Sequence, residues 1–355
     1  MGPQNFQSGQ PTMSVPFNFV DAKLRGRRRN LYEGDRLEAA ARKRTVAELA
    51  ETVFPDGPPD TLEALQKRLD QACVDDMARF LPYLDDSRAS LLRALLRRYQ
   101  VWNIKIALRL FDRESAREQA DRFMLELPAT LSLPRQRLLE ASELDEFIRA
   151  IPDETLREAI SPALEPYRET HRKAFLEMGL DRGWWQSVDA ALHQLNRWDR
   201  GGCSPSIEAE RLCLRLLTVL RAARTYEMGW DRLSTLLPPS TRATDEKDPL
   251  RDLYDNPDVR TVANFIPAES ELSIDAEDAQ NLPELEGALW TQVAQAANRQ
   301  FYTVLAATGS LVAYWYLKGA ERRRLVSTAE MIRREVPAED RIERLRPLSY
   351  RRGGN

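Results

Sequence analysis

Residues 91–111 read LLRALLRRYQVWNIKIALRLF, and the spacing of their apolar side chains decides the fold class. At the helical period these side chains form one stripe, made up of Leu92, Leu95, Leu96, Tyr99, Trp102, Ile106 and Leu110. Asn103 lies within the stripe, where a buried amide must find hydrogen-bond partners or cost about 1–3 kcal/mol. Lys105 and Arg109, four residues apart, share the polar edge of this helix. A buried helix with one amide and a basic edge is typical of structural or docking proteins rather than of an active site.

The chain as a whole has the composition of a soluble, charge-rich helical protein. Its 355 residues are 43% hydrophobic and 30% charged, which suits two or three domains or an array of similar units. A chain of this length can bury a sizeable core without metals or disulfides. The net charge of -3 argues against general binding to nucleic acid.

The cysteines and the N-terminal sequence indicate the cellular compartment of the protein. Three cysteines without a CxxC pair indicate a reducing, cytoplasmic setting. Residues 1–16 lack the basic start and apolar core of a signal peptide, and their Gln, Ser, Gly and Pro content predicts a disordered tail. The uncharged run at residues 301–317 is too short and too polar for a membrane span, so we predict a buried helix there.

Helical spacing dominates the chain and no run shows the alternation of a strand, so we predict an all-α fold. The predicted helices cover residues 31–53, 62–84, 91–111, 175–195, 207–226 and 285–336, with a short basic helix at about 340–346. The adjacent Trp184 and Trp185 are predicted to lie in the core, with contact to a partner as the alternative. The sequence Asp199-Arg-Gly-Gly-Cys-Ser-Pro predicts a turn between two of these helices. Residues 238–283 are rich in acidic side chains, Pro, Ser and Thr, and predict an acidic connection with one or two short helices.

Three segments resemble one another: residues 98–111, residues 213–226 and the stretch that begins at Tyr314. A helix precedes each of them, which predicts a helical unit of about 100 residues that occurs three times. The predicted division is a disordered tail at 1–16, helical units at 17–120, 121–237 and 284–350, and an acidic connecting segment at 238–283. Chance similarity among Arg- and Leu-rich helices is the alternative explanation.

Several short motifs carry a resemblance to a known family. They are Phe19-x-x-Ala22-Lys23-x-Arg25, Tyr99-Gln-Val-Trp-Asn-Ile-Lys-x-x-Leu-Arg109, Leu180-Asp181-Arg182 with Trp184-Trp185, Tyr316-Leu317-Lys318 with Glu321, and Ile342-Glu343-Arg344-Leu345-Arg346. By their order and spacing over roughly residues 17–350, the chain resembles the C subunits of archaeal and bacterial V-type (A-type) ATPases, which are relatives of the d subunit of the eukaryotic V-ATPase.

This resemblance implies both an architecture and a role. Members of the family fold as three similar helical subdomains arranged as a funnel on the cytoplasmic face of the membrane proteolipid ring. The funnel receives the lower end of the central-stalk coiled coil, so that stalk and ring turn together during ATP-driven ion transport or ATP synthesis. The resemblance therefore implies a non-catalytic rotor subunit, cytoplasmic and peripheral to the membrane, without a nucleotide or ion site.

Five side chains are the candidates for contact with the central stalk, because they recur at matching places in the repeats: Asn103, Lys105, Arg109, Arg221 and Arg224. The position that matches Asn103 is Thr218 in the second unit and Arg324 in the third. The three units therefore do not share one amide contact at this position. The alternative is that Asn103 fixes the helix register while the arginines pair with neighbouring glutamates. The basic runs at residues 25–29 and 322–324 are either contacts for anionic lipid headgroups or solvated helix faces.

The residues offer little support for an enzyme. The two histidines, His171 and His193, have no Cys or carboxylate at ligand spacing, and the phosphate-binding patterns GxxxxGK[ST] and GxGxxG are missing. We therefore predict no catalytic, cofactor-binding or metal-binding residue. The competing hypothesis is a helical adaptor that binds a partner helix, unrelated to rotary ATPases. An enzyme of unknown type would rest only on Asn103 and on the acidic residues between 245 and 278.

Overall fold

The computed structural model describes residues 17–111, 116–226, 228–240, 248–274, 280–303 and 307–345. Within these residues every regular element is a helix, which confirms the predicted all-α class. The predicted N-terminal tail, residues 1–16, lies outside the described residues.

The described residues form seventeen α-helices, of which five are 22 residues or longer. The first nine are α1 (Phe17–Arg28), α2 (Asp35–Ala41), α3 (Val46–Val53), α4 (Leu62–Ala78), α5 (Asp86–Leu110), α6 (Ala116–Phe123), α7 (Arg135–Glu140), α8 (Leu144–Ala150) and α9 (Glu154–Ile160). The other eight are α10 (Leu164–Thr170), α11 (Lys173–Gln194), α12 (Arg197–Thr225), α13 (Trp230–Ser234), α14 (Leu250–Asp255), α15 (Leu282–Thr303), α16 (Ala307–Arg333) and α17 (Ala338–Leu345). Short 3₁₀ turns lie at Leu81–Tyr83, Ala129–Leu131, Ser161–Ala163 and Val259–Phe265.

Polar side chains before the first turn fix where several helices begin. Thr45 and Thr61 accept hydrogen bonds from backbone N–H groups at the start of α3 and α4. Asp85, Asp153 and Asn196 do the same for α5, α9 and α12. A helix start leaves N–H groups without intrahelical partners, so such a cap stabilises it by about 1 kcal/mol.

Two predicted helix boundaries are wrong for identifiable reasons. The helix predicted at 31–53 is divided into α2 and α3, because Thr45 caps the start of a new helix. α2 itself begins only at Asp35, after Gly34 with its φ of 50°. The turn predicted at Asp199–Pro205 lies inside α12, which instead begins after Asn196. Tight packing holds this unusual helical turn together, since Cys203, Ser206 and Ile207 are fully buried.

The uncharged run at 301–317 is not the single helix that the sequence predicts. It is divided between the end of α15 and the start of α16, and its part from Thr308 to Leu317 is buried in the described structure. None of the helices in the described ranges is long and apolar enough to cross a membrane.

Three long helices, α5, α12 and α16, hold the structure together. α5 packs against α4 and α11, α12 packs against α15 and α16, and α16 also contacts α1 and α4. One hydrophobic cluster runs through all three helices from Val20 to Leu317. Two smaller clusters join α16 and α17, near the C-terminus, to α2, α3 and α4, near the N-terminus. The last two described helices therefore pack on helices from the first part of the chain.

The described part of the acidic connection contacts α12 through α14 and also contains the 3₁₀ turn at Val259–Phe265, in agreement with the one or two short helices that its sequence predicts. The connection buries apolar side chains of its own, namely Leu250, Leu253 and Val262. Asp248 forms an ion pair with Arg215 of α12 at the start of this connection. Part of the acidic charge is thus used to fasten the connection to the helical core.

Candidate functional site

A cavity of about 370 Å³ lies where α5, α12 and α16 converge. Each of these helices contains one of the three mutually similar segments of the sequence, and each contributes side chains to the wall. Residues on α4, α11 and α15 complete the wall. The similar segments therefore face one shared space.

Aromatic side chains dominate the wall of the cavity. Five of the seven tryptophans of the protein line it, and they are Trp102, Trp184, Trp185, Trp290 and Trp315. Trp184 and Trp185 are buried, which confirms the predicted core position, whereas Trp102 is 41% exposed. Large rings with one polar edge make a rigid, amphipathic surface of the kind that binds other proteins.

Basic side chains outnumber acidic ones around the same space. Five cations, Arg98, Lys105, Lys318, Arg322 and Arg323, line the cavity beside the two carboxylates of Asp70 and Asp181. Four of the five cations have a carboxylate partner: Arg98 with Glu210, Lys105 with Asp181, Lys318 with Glu321 and Arg322 with Asp70. The five cations and these four partner carboxylates leave one net positive charge at the cavity, which belongs to Arg323.

One polar layer at the cavity wall takes a side chain from each of the three long helices. Arg98 of α5 donates to the buried carboxylate of Glu210 of α12 at 2.5 Å, and the Tyr316 ring of α16 lies beside them. Burial alone would lower the pKa of Arg98, but the carboxylate of Glu210 raises it. Burial first and Glu210 second raise the pKa of Tyr316 well above its usual value. This layer keeps a charged arginine and a neutral tyrosine in place at neutral pH.

A second polar layer joins the N-terminal ends of the same helices, and we name Arg88, Asp199 and Thr308 the three-helix tie. Arg88 of α5 donates to the Asp199 carboxylate of α12 at 2.8 Å, and the Thr308 hydroxyl of α16 donates to the other oxygen at 2.7 Å. Arg88 also donates to the Thr308 hydroxyl at 2.9 Å. Arg88 and Arg98 are separated by about 15 Å of helix, so the tie closes one end of the bundle beyond the cavity.

Asn103, the first predicted contact residue, is buried on the side of α5 away from the cavity. Its Nδ2 donates to the carbonyl of Leu125 at 2.8 Å, and its Oδ1 accepts from the N–H of Leu125 at 2.9 Å. This is the geometry that the alternative interpretation requires, with the amide holding a later segment against α5. A contact between Asn103 and the central stalk stays a prediction.

The four predicted basic residues lie in different surroundings. Lys105 lines the cavity and pairs with Asp181 at 2.6 Å. Arg109, one turn further along α5, pairs with Glu177 of α11 at 2.7 Å. Their counterparts on α12 differ, since Arg221 pairs with Glu286 of α15 while Arg224 donates to the carbonyl of Pro257. Of these four residues, the structure brings Lys105 alone into the cavity itself.

The basic run at 322–324 does not form the lipid-facing or solvated surface that its sequence suggests. Arg322 pairs with Asp70, and Arg323 lies over the ring of Trp290. Arg324 is 3% exposed and pairs with Glu33. Three successive helical residues point in three directions, so a run of charge on a core helix is distributed between the cavity and the core.

Most of the cavity wall was not predicted from the sequence, including Arg98, Trp290, Lys318 and Arg323. One signal was available in the stripe of α5, because Tyr99 and Trp102 are amphipathic residues in a row that is otherwise aliphatic. Trp290 carries no such signal, since its position opposite Arg323 depends on how α15 packs against α16.

Across the described ranges, no group of three or more His, Cys, Asp or Glu side chains is arranged to hold a metal ion. The three cysteines are buried, and burial raises the pKa of the Cys73 thiol to about 12. A thiol in this state is a poor nucleophile at neutral pH.

Comparison with known proteins places the chain in a family. The model of the family described as ATP synthase (C/AC39) subunit matches residues 20–344, which cover nearly all of the described structure. A comparison with curated proteins finds no significant match. The family match agrees with the resemblance carried by the motifs between Phe19 and Arg346. The chain therefore belongs to the C/AC39 family of subunits of V/A-type rotary ATPases.

Proposed function

We propose that this protein is the non-catalytic rotor subunit that couples the central stalk to the membrane proteolipid ring of a V/A-type ATPase. The observation that carries the proposal is the basic, tryptophan-lined cavity enclosed by α5, α12 and α16 in a chain of the C/AC39 family. In this role the three predicted helical units form a funnel around the cavity, and the protein sits on the cytoplasmic face of the membrane.

The chemistry of the cavity suits the end of a coiled coil. Tryptophan rings offer apolar area to a helical end, while fixed guanidinium groups offer several hydrogen-bond donors to its polar side chains. The ion pairs of Arg109 with Glu177 and of Arg221 with Glu286 lie one turn beyond cavity residues and extend a polar rim. Such a rim favours correct orientation of a charged partner more than it adds affinity.

Transmission of torque requires a stalk-binding surface, here called the seat, that does not deform. The Arg98–Glu210 pair and the three-helix tie fasten α5 to α12 at two levels, and both carboxylates are almost fully buried. Buried, charge-assisted hydrogen bonds of this kind resist shearing because a displaced partner would leave an unpaired charge. The cavity wall is therefore rigid enough to serve as a coupling surface.

The end closed by the three-helix tie is the face that we assign to the ring and membrane. Trp198, in the first turn of α12, is 87% exposed, and Tyr302, in the last turn of α15, is 64% exposed. Exposed tryptophan and tyrosine are favoured at the interface between bilayer and water. The seat for the stalk and the face for the ring then lie at opposite ends of α5 and α12.

The central test is removal of this subunit from the complex. A V/A-type complex assembled without it should hydrolyse ATP in its soluble sector without moving ions, and addition of the purified protein should restore ion transport. The purified protein should also bind both the isolated stalk subunits and membranes that contain the proteolipid ring. A complex that lacks this chain and still couples ATP hydrolysis to ion transport would refute the proposal.

Charge reversal tests the predicted stalk contacts at Arg109 and Arg224. Arg109→Glu and Arg224→Glu should each weaken binding of the stalk by about tenfold, because each places a negative charge near the proposed seat. Arg149→Glu on α8 is a matched control, since Arg149 is exposed and lies outside the cavity wall. Unchanged affinity in both variants would remove these residues from the contact set and leave the coupling role to the cavity.

A further inference from the structure

Arg323 of α16 differs from the other cations that line the cavity. Those four are paired with carboxylates, whereas the guanidinium of Arg323 has no hydrogen bond and no ion pair among the described residues. Its guanidinium lies over the indole ring of Trp290, with the guanidinium carbon 4.0 Å from the ring centroid. Stacking uses the flat face of a guanidinium and leaves its N–H donors available.

Among the described residues, no carboxylate is paired with Arg323. Burial, and next the nearby charge of Arg98, lower the pKa of Arg323 to about 10. The group therefore remains protonated at neutral pH, while its surroundings oppose the charge. The carboxylate of Glu210 lies in the same region, but it is engaged by Arg98 at 2.5 Å. An anion that entered the cavity beside Trp290 would remove this imbalance.

We infer that Arg323 is the specificity-determining residue of the cavity and that it pairs with a carboxylate carried by the seated end of the central stalk. This inference rests on the proposed function, which supplies the occupant. A carboxylate offers two acceptor oxygens to the fork of a guanidinium, and Trp290 holds that fork in one plane. An aspartate, a glutamate or a chain-terminal carboxylate on the stalk would satisfy the site, whereas a neutral or basic end would not.

The test measures binding of the purified protein to the purified stalk subunits at low salt. Arg323→Gln should weaken binding by about tenfold or more, and Arg323→Glu should weaken it further, because truncating one partner of a buried charge pair is costly. Arg323→Lys should retain part of the affinity, since it keeps the charge and loses the fork. Arg333→Gln is the matched control, because Arg333 lies exposed at the end of the same helix and pairs with Glu330 on the surface.

Thermal unfolding of the free protein separates binding from structure. Because no carboxylate of the described residues is paired with Arg323, Arg323→Gln should leave the midpoint of thermal unfolding unchanged or raise it, even though binding is lost. A midpoint that falls in Arg323→Gln would indicate a structural role and would overturn the inference. The partner residue can be identified by substituting each acidic residue of the stalk end with Lys and finding the one that restores binding to Arg323→Glu.

The possible results distinguish the inference from the function on which it rests. Binding of the stalk to the wild type but equally to Arg323→Gln and Arg323→Glu would refute the inference and leave the coupling role standing. A wild-type protein that failed to bind the stalk would refute the coupling role itself. Loss of binding in both variants, with Arg333→Gln unaffected, would support the pairing.

Discussion

Gly183 of α11 determines how closely this helix approaches α9. A side-chain carbon at Gly183 would lie 2.9 Å from the Cβ of Ala159 and 3.0 Å from a methyl carbon of Leu156, both closer than normal packing permits. Gly179, one turn earlier, is in the same position against the backbone of Ala159. These glycines therefore replace side-chain volume with direct contact between two helices.

We expect Gly183→Ala to destabilise the protein by about 1–3 kcal/mol, because the added methyl group must force α9 and α11 apart. Gly201→Ala in α12 is the control, since a side-chain carbon there would meet nothing within 4 Å. Alanine costs less backbone entropy than glycine in a helix, so the control should be more stable by about 0.5–1 kcal/mol. Urea unfolding measures the stability of both variants. A shift of their two unfolding midpoints in the same direction would contradict this account of Gly183.

Single residues also mark the limit of what the sequence can predict about the site. The apolar stripe of α5 correctly predicts burial of Leu95 and Ile106, but Trp102 on the same stripe faces the cavity. A helical period identifies a shared face and cannot tell a core from a cavity wall. The requirement that Asn103 find partners is likewise confirmed, while Leu125 as the partner depends on a loop 22 residues away.

At the scale of elements, the three-helix tie joins the three long helices that contain the similar segments of the chain. Its three side chains come from the first turns of α5, α12 and α16, and each of its three hydrogen bonds joins residues at least 109 positions apart in the sequence. Such contacts restrict the relative rotation of long helices more than apolar packing does, because their geometry is directional.

Removal of the Asp199 carboxylate should therefore destabilise the fold clearly. We expect Asp199→Ala to cost about 2–3 kcal/mol, because Arg88 and Thr308 both lose a buried, charge-assisted partner. Glu330→Ala is the control, since its pair with Arg333 on the surface of α16 should contribute less than about 0.5 kcal/mol. Chemical unfolding of the two variants gives the comparison. Equal stability losses would mean that the tie contributes no more than a surface ion pair.

Helix class was predictable from the sequence, but several helix ends were not. The period of 3.6 residues is a local property, so the all-α class and the main positions of α5, α11 and α16 follow from it. The passage of α12 through Gly201, Gly202 and Pro205 contradicts local propensity and depends on burial of Cys203 and Ile207. Tertiary packing overrides weak local signals, and the turn predicted there fails for that reason.

At the scale of the whole molecule, the last helices complete the packing of the first. Leu325 and Ile332 of α16 pack with Leu49 and Leu65, and Ile342 of α17 packs with Leu37 of α2. The proposed coupling role would benefit from such closure, because a wall open between the first and last helices could spread under torque. The three predicted units would then unfold as one body rather than in succession.

Ile342→Ala tests whether packing between the last and the first helices stabilises the whole molecule, at a position remote from the cavity tryptophans. Ile342 is 2% exposed, so its truncation should cost about 2–4 kcal/mol. If the chain is one cooperative unit, the helical circular dichroism and the tryptophan fluorescence should shift to the same lower urea midpoint, although α17 contains no tryptophan. The wild type should show coincident transitions by the same two probes. In the contrary case, the fluorescence transition stays at the wild-type midpoint while part of the helical signal is lost at lower urea. That result would show that α2 and α17 unfold separately, so that the closed wall is not a single mechanical body.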